Sequence, residues 1–227
     1  MRTRRGFADG AAVFYVLMFY LQTKAADDWA RGLADPTRQW RKGFSARSLA
    51  FCWESEPALP SEVAAHFGSD ATLVLGLPEH SVEMPGRGKA SQTDLFCLIS
   101  DQEGLWTVAI EGKVEEPFGP TVGDWLSGGG QNRRDRIEGI AAELGMQVYP
   151  ELRYQLYHRA ASAVLEARRF RARNAAMIVH SFSQAETWRS DFNLFAQALG
   201  AAPDTLTPFG IRLRLGWATG NETYLEY

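Results

Sequence analysis

A chain of 227 residues can bury one sizeable core, and its 45% hydrophobic and 22% charged residues are ordinary globular proportions that exclude extended disorder. A formal net charge of −3 excludes a surface that is basic throughout, so any affinity for phosphates has to come from local clusters of cations. There is no repeat and no low-complexity tract; two cysteines without a CxxC and four scattered histidines give no structural zinc site and fit a reduced, cytoplasmic protein.

In chain order, Arg2, Arg4 and Arg5 precede an apolar run from Ala11 to Leu21 that resembles a signal peptide but is too short to span a bilayer. A short helix, or residues upstream of the true start codon, is expected there in preference to secretion. Residues 1–36 are read as an extension and 37–227 as the domain. A helix is expected from Thr37 to Trp53, and Ser61 is expected to cap a short one through Phe67. Short strands follow at Leu73–Leu75 and Val82–Met84, then two longer ones at Thr93–Ser100 and Leu105–Lys113 that form an antiparallel hairpin. The stretch from Gly119 to Asn132 reads as a Gly-rich polar loop. Helices follow at Arg133–Leu144, closed by Gly145, and at Glu151–Phe170, where Leu152, Leu156, Ala160, Ala163 and Ala167 recur at spacings of three and four. The apolar run Ala175–Phe182 suits a central strand covered on both faces. Ser183 and Glu186 spell a capping box for a helix ending at Gly200, and a last hairpin is expected through Gly220 and Asn221. The sum is an α/β sandwich.

The chemistry concentrates in the hairpin. Its turn, Asp101-Gln102-Glu103-Gly104, is centred between Gln102 and Glu103, so a symmetric hairpin places Asp94 opposite Glu111. Directly opposed residues project to the same face about 5 Å apart, and Lys113, two residues beyond Glu111, shares that face. Two carboxylates that close repel unless a cation lies between them, which suits a hard ion such as Mg²⁺ or Mn²⁺. A neighbouring lysine can orient an attacking water and offset developing phosphorane charge.

Asp94, then Glu111-Gly112-Lys113 at the end of an apolar strand, followed by a core helix and another apolar strand, resembles the PD-(D/E)XK superfamily of nucleases. The segments Ser91-Gln92-Thr93-Asp94, Glu116-Pro117-Phe118-Gly119, Arg153-Tyr154-Gln155-Leu156 and Val179-His180-Ser181-Phe182 resemble a group of bacterial proteins with this nuclease-like fold. The resemblance covers about residues 37 to 220, with Thr93 where the superfamily commonly has proline. It implies a restriction-endonuclease-like fold, a mixed, mainly four-stranded sheet between helices, with Asp94 and Glu111 as metal ligands and Lys113 as catalytic helper. In several nuclease branches a helix glutamine faces the metal, which makes Gln155 the fourth candidate.

The expected function is divalent-metal-dependent hydrolysis of nucleic acid phosphodiesters, DNA ahead of RNA, with pairing of two subunits compatible with that role and no membrane partner. The alternative is a non-catalytic module of the same fold that binds nucleic acid or protein. Glu79 and Glu54 are minor candidates for a further ligand, and Arg153 and Arg159 for a place beside Gln155. Glu115 and Glu116 read as loop residues, and Trp106, Trp125 and Trp188 as core or loop anchors. The Gly128–Gly130 loop lacks the GKS or GKT ending of a nucleotide-binding loop but, with Arg133, Arg134 and Arg136 beside it, is a candidate for substrate contact.

Overall fold

The computed structural model describes residues 3–8, 11–16, 23–56 and 58–227. Strands β1 (Thr3–Ala8) and β2 (Ala11–Val16) pair antiparallel as a separate two-stranded sheet, so the described part of the N-terminal apolar run is strand where a helix was expected; residues 17–21 of that run lie outside the described ones.

A short 3-10 turn at Ala26–Arg31 buries Ala26 and Trp29 in the same core as the helix that follows, so the domain takes in residues that a boundary at 36 leaves outside. The single helix expected over 37–53 is two, α1 (Pro36–Gln39) and α2 (Ser45–Ser55), broken around Gly43, whose φ of +77° no helix can accommodate. Helix α3 (Ser61–Ala64) starts from Pro60; Ser61 lies inside it and donates to Glu62 Oε2 at 3.2 Å instead of capping. The two short strands expected next are one, β3 (Thr72–Val82), irregular between Leu73 and Leu75. Strands β4 (Ser91–Asp101) and β5 (Gly104–Lys113) form the predicted hairpin in the predicted register, from Asp101 opposite Gly104 to Leu95 opposite Ile110.

The stretch read as loop contains α4 (Val122–Ser127), whose N-terminus is closed by Thr121 Oγ1 accepting the Asp124 N–H at 3.1 Å. Then come α5 (Gln131–Leu144), α6 (Tyr154–Phe170), β6 (Asn174–Ser181) and α7 (Arg189–Leu199). Gly145 and Gly200 end α5 and α7 in the left-handed conformation, as their positions predict. The capping box does not form: α7 begins six residues after Ser183, whose hydroxyl meets Glu115 and Thr187. The last hairpin is displaced as well. It joins β7 (Asp204–Leu206) to β8 (Arg212–Thr219) ahead of Gly220, which leads into a terminal 3-10 turn.

One mixed sheet of six strands, in the order β3-β4-β5-β6-β8-β7, replaces the four expected; β6 runs parallel to β5 and β8, and the other pairings are antiparallel. The central strand β6 is buried along its whole length. On one face α6 sets Leu156, Ala160 and Ala163 against Ala109 and Met177. On the other, α2 sets Leu49, Cys52 and Trp53 against Val108, Ile110 and Ile178. Each large aliphatic side chain buried between these layers contributes about 1.5–3 kcal/mol. The result is a mixed α/β architecture whose hairpin end points Asp94, Glu111 and Lys113 toward α6. Among the described residues, no helix is long and apolar enough to cross a membrane.

Candidate active site

The β4–β5 register continues past Leu95 and Ile110 to Asp94 and Glu111, and the strand period returns Lys113 to the same side. Glu111 is 1% exposed and Lys113 3%. Lys113 Nζ donates to Glu111 Oε1 at 2.7 Å, and Gln155 Nε2 donates to the same oxygen at 2.7 Å. Arg159, one helical turn after Gln155 on α6, donates from Nε to Glu111 Oε2 and from its guanidinium to Asp94 Oδ1 at 3.3 Å. The other Asp94 oxygen accepts the Gly112 N–H at 2.9 Å. All five side chains line a cavity of about 550 Å³ whose wall also includes Glu79, Glu116, Phe118 and Tyr154.

Electrostatics divide the acids into two kinds. Burial alone works to raise Glu111, but Arg159 and Lys113 outweigh it and hold the group below its ordinary value, ionised. Asp94 is raised, by burial first and by Glu111 second. Glu79 is raised too, by burial and then by Asp94. Three carboxylates thus face one another with one guanidinium and one ammonium between them. That donor set suits a hard divalent cation bound by oxygen. Arg159 bridges Asp94 and Glu111 where such an ion would join them, so loading the ion requires the guanidinium to turn away.

The structure brings Asp94, Glu111, Lys113 and Gln155 together, and adds Arg159 and Glu79 as direct neighbours. Glu54 does not belong: it accepts from Thr23 at 3.1 Å and Trp29 at 2.8 Å. Arg153 leaves the cavity for Asp191 at 2.6 Å and the Gly119 carbonyl. Glu116 lines the cavity and accepts from the backbone of Val114 and Ser45, while Glu115 holds Ser183 and Thr187. Trp106 is a core residue and Trp188 a loop anchor bonded to the Glu115 carbonyl at 2.9 Å. The i, i+4 spacing of Gln155 and Arg159 was the signal that could have ranked Arg159 with the principal site residues.

On the opposite face Cys52, Glu62 and His180 lie close enough for one ion. The hydrogen bonds argue otherwise. Trp53 Nε1 donates to His180 Nδ1 at 3.2 Å, so the imidazole proton is on Nε2, where Glu62 Oε1 accepts it at 2.9 Å. An ion on Nε2 would turn Nδ1 into a donor facing the tryptophan donor, and burial holds the Cys52 thiol protonated. This cluster is a satisfied structural chain.

His158, between the cavity and Ser91, is pushed down to about 3 by burial, then by Arg159. Its Nδ1 shares a hydrogen bond with Ser91 Oγ at 2.8 Å, and Arg136, Lys113 and Glu111 also act on it. Below its unfolded value near 6.5 the unfolded chain binds a proton that the folded one refuses, so stability falls as pH drops from about 6.5 toward 3. Denaturant titrations of the wild type and His158→Gln across that range are expected to differ by a few kcal/mol at the acid end, with the flatter profile in the variant.

A match to a family model extends over residues 22–222, nearly the whole of the domain just described. The chain belongs to the DUF6946 family. The family's description is a domain of unknown function, so membership adds no activity. No curated protein and no solved structure gives a match. Within this DUF6946 domain the matched span holds all six strands of the mixed sheet and every side chain of the cavity.

Proposed function

We propose that this DUF6946 domain is a divalent-metal-dependent nuclease of the PD-(D/E)XK type, with a restriction-endonuclease-like core extended to six strands, acting on nucleic acid with DNA ahead of RNA. The observation that carries the proposal is the convergence of Asp94 and Glu111 from paired strands with Lys113 on Glu111 Oε1. Asp94 and Glu111, with Glu79 beside them, would hold Mg²⁺ or Mn²⁺. The bound ion would supply Lewis acidity toward the phosphoryl oxygen and a lower pKa for water. Lys113, released in part from Glu111, orients the attacking water and offsets negative charge growing on the phosphorus oxygens. Gln155 fixes the Glu111 carboxylate through its amide and offers its carbonyl to the same water. Phe118, beneath the Lys113 ammonium at 5.0 Å from its ring centre, keeps that cation poorly solvated.

Supercoiled plasmid, linear single strands and RNA incubated with Mg²⁺ or Mn²⁺ test this reading. Cleavage that depends on the ion and is lost in Asp94→Asn and Lys113→Ala is expected; absence of cleavage from a folded, ion-binding protein overturns it. One observation favours a second reading, a non-catalytic binding module: Arg159 and Lys113 already neutralise Glu111 without any ion. That reading predicts nucleic-acid binding indifferent to Mg²⁺ and to Asp94→Asn.

A further inference from the structure

Next to the candidate catalytic cavity is a second one of about 420 Å³, and the two share Gln92, Tyr154, His158 and Arg159. Its centre is Arg136 on α5, only 7% exposed. Arg136 Nε donates to the Tyr154 hydroxyl at 2.9 Å, and another guanidinium nitrogen to the Lys89 carbonyl at 2.6 Å. Both acceptors are neutral, and among the described residues no carboxylate forms an ion pair with Arg136. A buried cation without a counter-charge is costly unless an anion arrives. Arg87 and Lys89, exposed on the β3–β4 loop, and Arg133 on α5 stand around it, again with no ion pair among the described residues. The floor is aromatic: Trp125 and Tyr154 stack with ring centres 4.0 Å apart and 9° between planes, and Arg133 lies over Trp125 at 5.3 Å.

We propose that this cleft is a strand-holding subsite for single-stranded nucleic acid: Arg136, Arg87 and Lys89 bind the phosphates of a nucleotide flanking the scissile bond, and the Trp125–Tyr154 pair offers a face to its base. The inference rests on the nuclease reading for the word scissile and on the cleft's own charge for the rest. Cations that track phosphates beside aromatic faces are the chemistry that grips unpaired strands. The volume suits one nucleotide, and a duplex keeps its base faces stacked inside. On a chain of net charge −3, unneutralised cations gathered in one cleft continuous with three carboxylates mark a place where an anion is both held and presented.

The test is fluorescence anisotropy of a labelled single strand of about 12 nucleotides, within the site sizes usual for such binders, in EDTA so that no cleavage intervenes. Arg87→Ala with Lys89→Ala changes only exposed side chains and is expected to weaken binding about tenfold or more. It should also flatten the dependence of log affinity on log salt by about 1.4, or ~0.7 for each lost phosphate contact. Arg136→Gln is expected to weaken binding further, and Arg171→Ala with Arg173→Ala, equal in charge but outside the cleft, to leave it unchanged. Unaltered affinity in the Arg87/Lys89 variant, an equal loss in the Arg171/Arg173 control, or a duplex bound with the same dependence on Arg87 and Lys89 overturns the proposal. Because binding is read without metal, a wild type that holds the strand yet never cuts removes the nuclease reading alone. One that cuts while Arg87→Ala/Lys89→Ala binds normally removes only the cleft.

Discussion

Replacing Arg159 by methionine is expected to unfold the domain more readily in EDTA and to make it unusually responsive to divalent cations. Without the guanidinium, Asp94 and Glu111 keep a buried, shared negative charge with only Lys113 to offset it. Breaking such a buried network from one side costs about 3–5 kcal/mol, or ~6–20 °C in melting temperature for a domain of this size. A divalent ion held by the same carboxylates then restores part of the loss, about 2.7 kcal/mol at a hundredfold excess over its dissociation constant. Melting curves with and without Mg²⁺ or Mn²⁺ should show a larger ion-induced rise in Arg159→Met than in the wild type. An equal or smaller rise means that the guanidinium and the ion do not compete for one position.

Glu111→Ala is expected to combine loss of cleavage with a stability cost of about 3–5 kcal/mol, because it strands Lys113 and Arg159 at once. No divalent ion should rescue it. Activity loss in that variant alone is therefore ambiguous, and Asp94→Asn is its necessary companion. The amide oxygen still accepts the Gly112 N–H and the shape is kept, while one negative charge is removed from the ion's place. A fall in cleavage of about 10²–10³-fold, on the scale of losing one preorganised electrostatic group, is expected with a melting temperature close to that of the wild type. A variant that cuts at the wild-type rate would remove Asp94 from the site.

Why the hairpin could be read from the chain and the rest of the site could not is a matter of range. A two-residue turn centre fixes every opposed pair in an antiparallel ladder, so Asp94 and Glu111 were determined locally. Glu79 depends on β3 being one strand laid beside β4; read as two short pieces, it gave that carboxylate no address. Glu79 also has a φ of +55°, an unusual backbone for which its sequence carries no cue. Gln155 and Arg159 needed the rotation of α6 about its axis, which the apolar stripe supplied, and its distance from the sheet, which it did not. The missing strands have a similar cause: Arg212-Leu213-Arg214-Leu215 alternates clearly, but nothing local says that β8 inserts beside β6 rather than turning back at Gly220. The failed capping box shows the limit of short motifs, since Ser183 found a better acceptor, Glu115, 68 positions away.

Helix α6 forms the common wall of the two cavities, and everything else that lines them comes from separate parts of the chain. Segment 33–46 reaches only the carboxylate cavity, and loop 87–90 only the neighbouring cleft. The two halves are consequently free to diverge at different rates within a lineage. Grafting a different loop between β3 and β4 would re-address the domain to another ligand while the carboxylates and Lys113, fixed by the ladder, stay as they are.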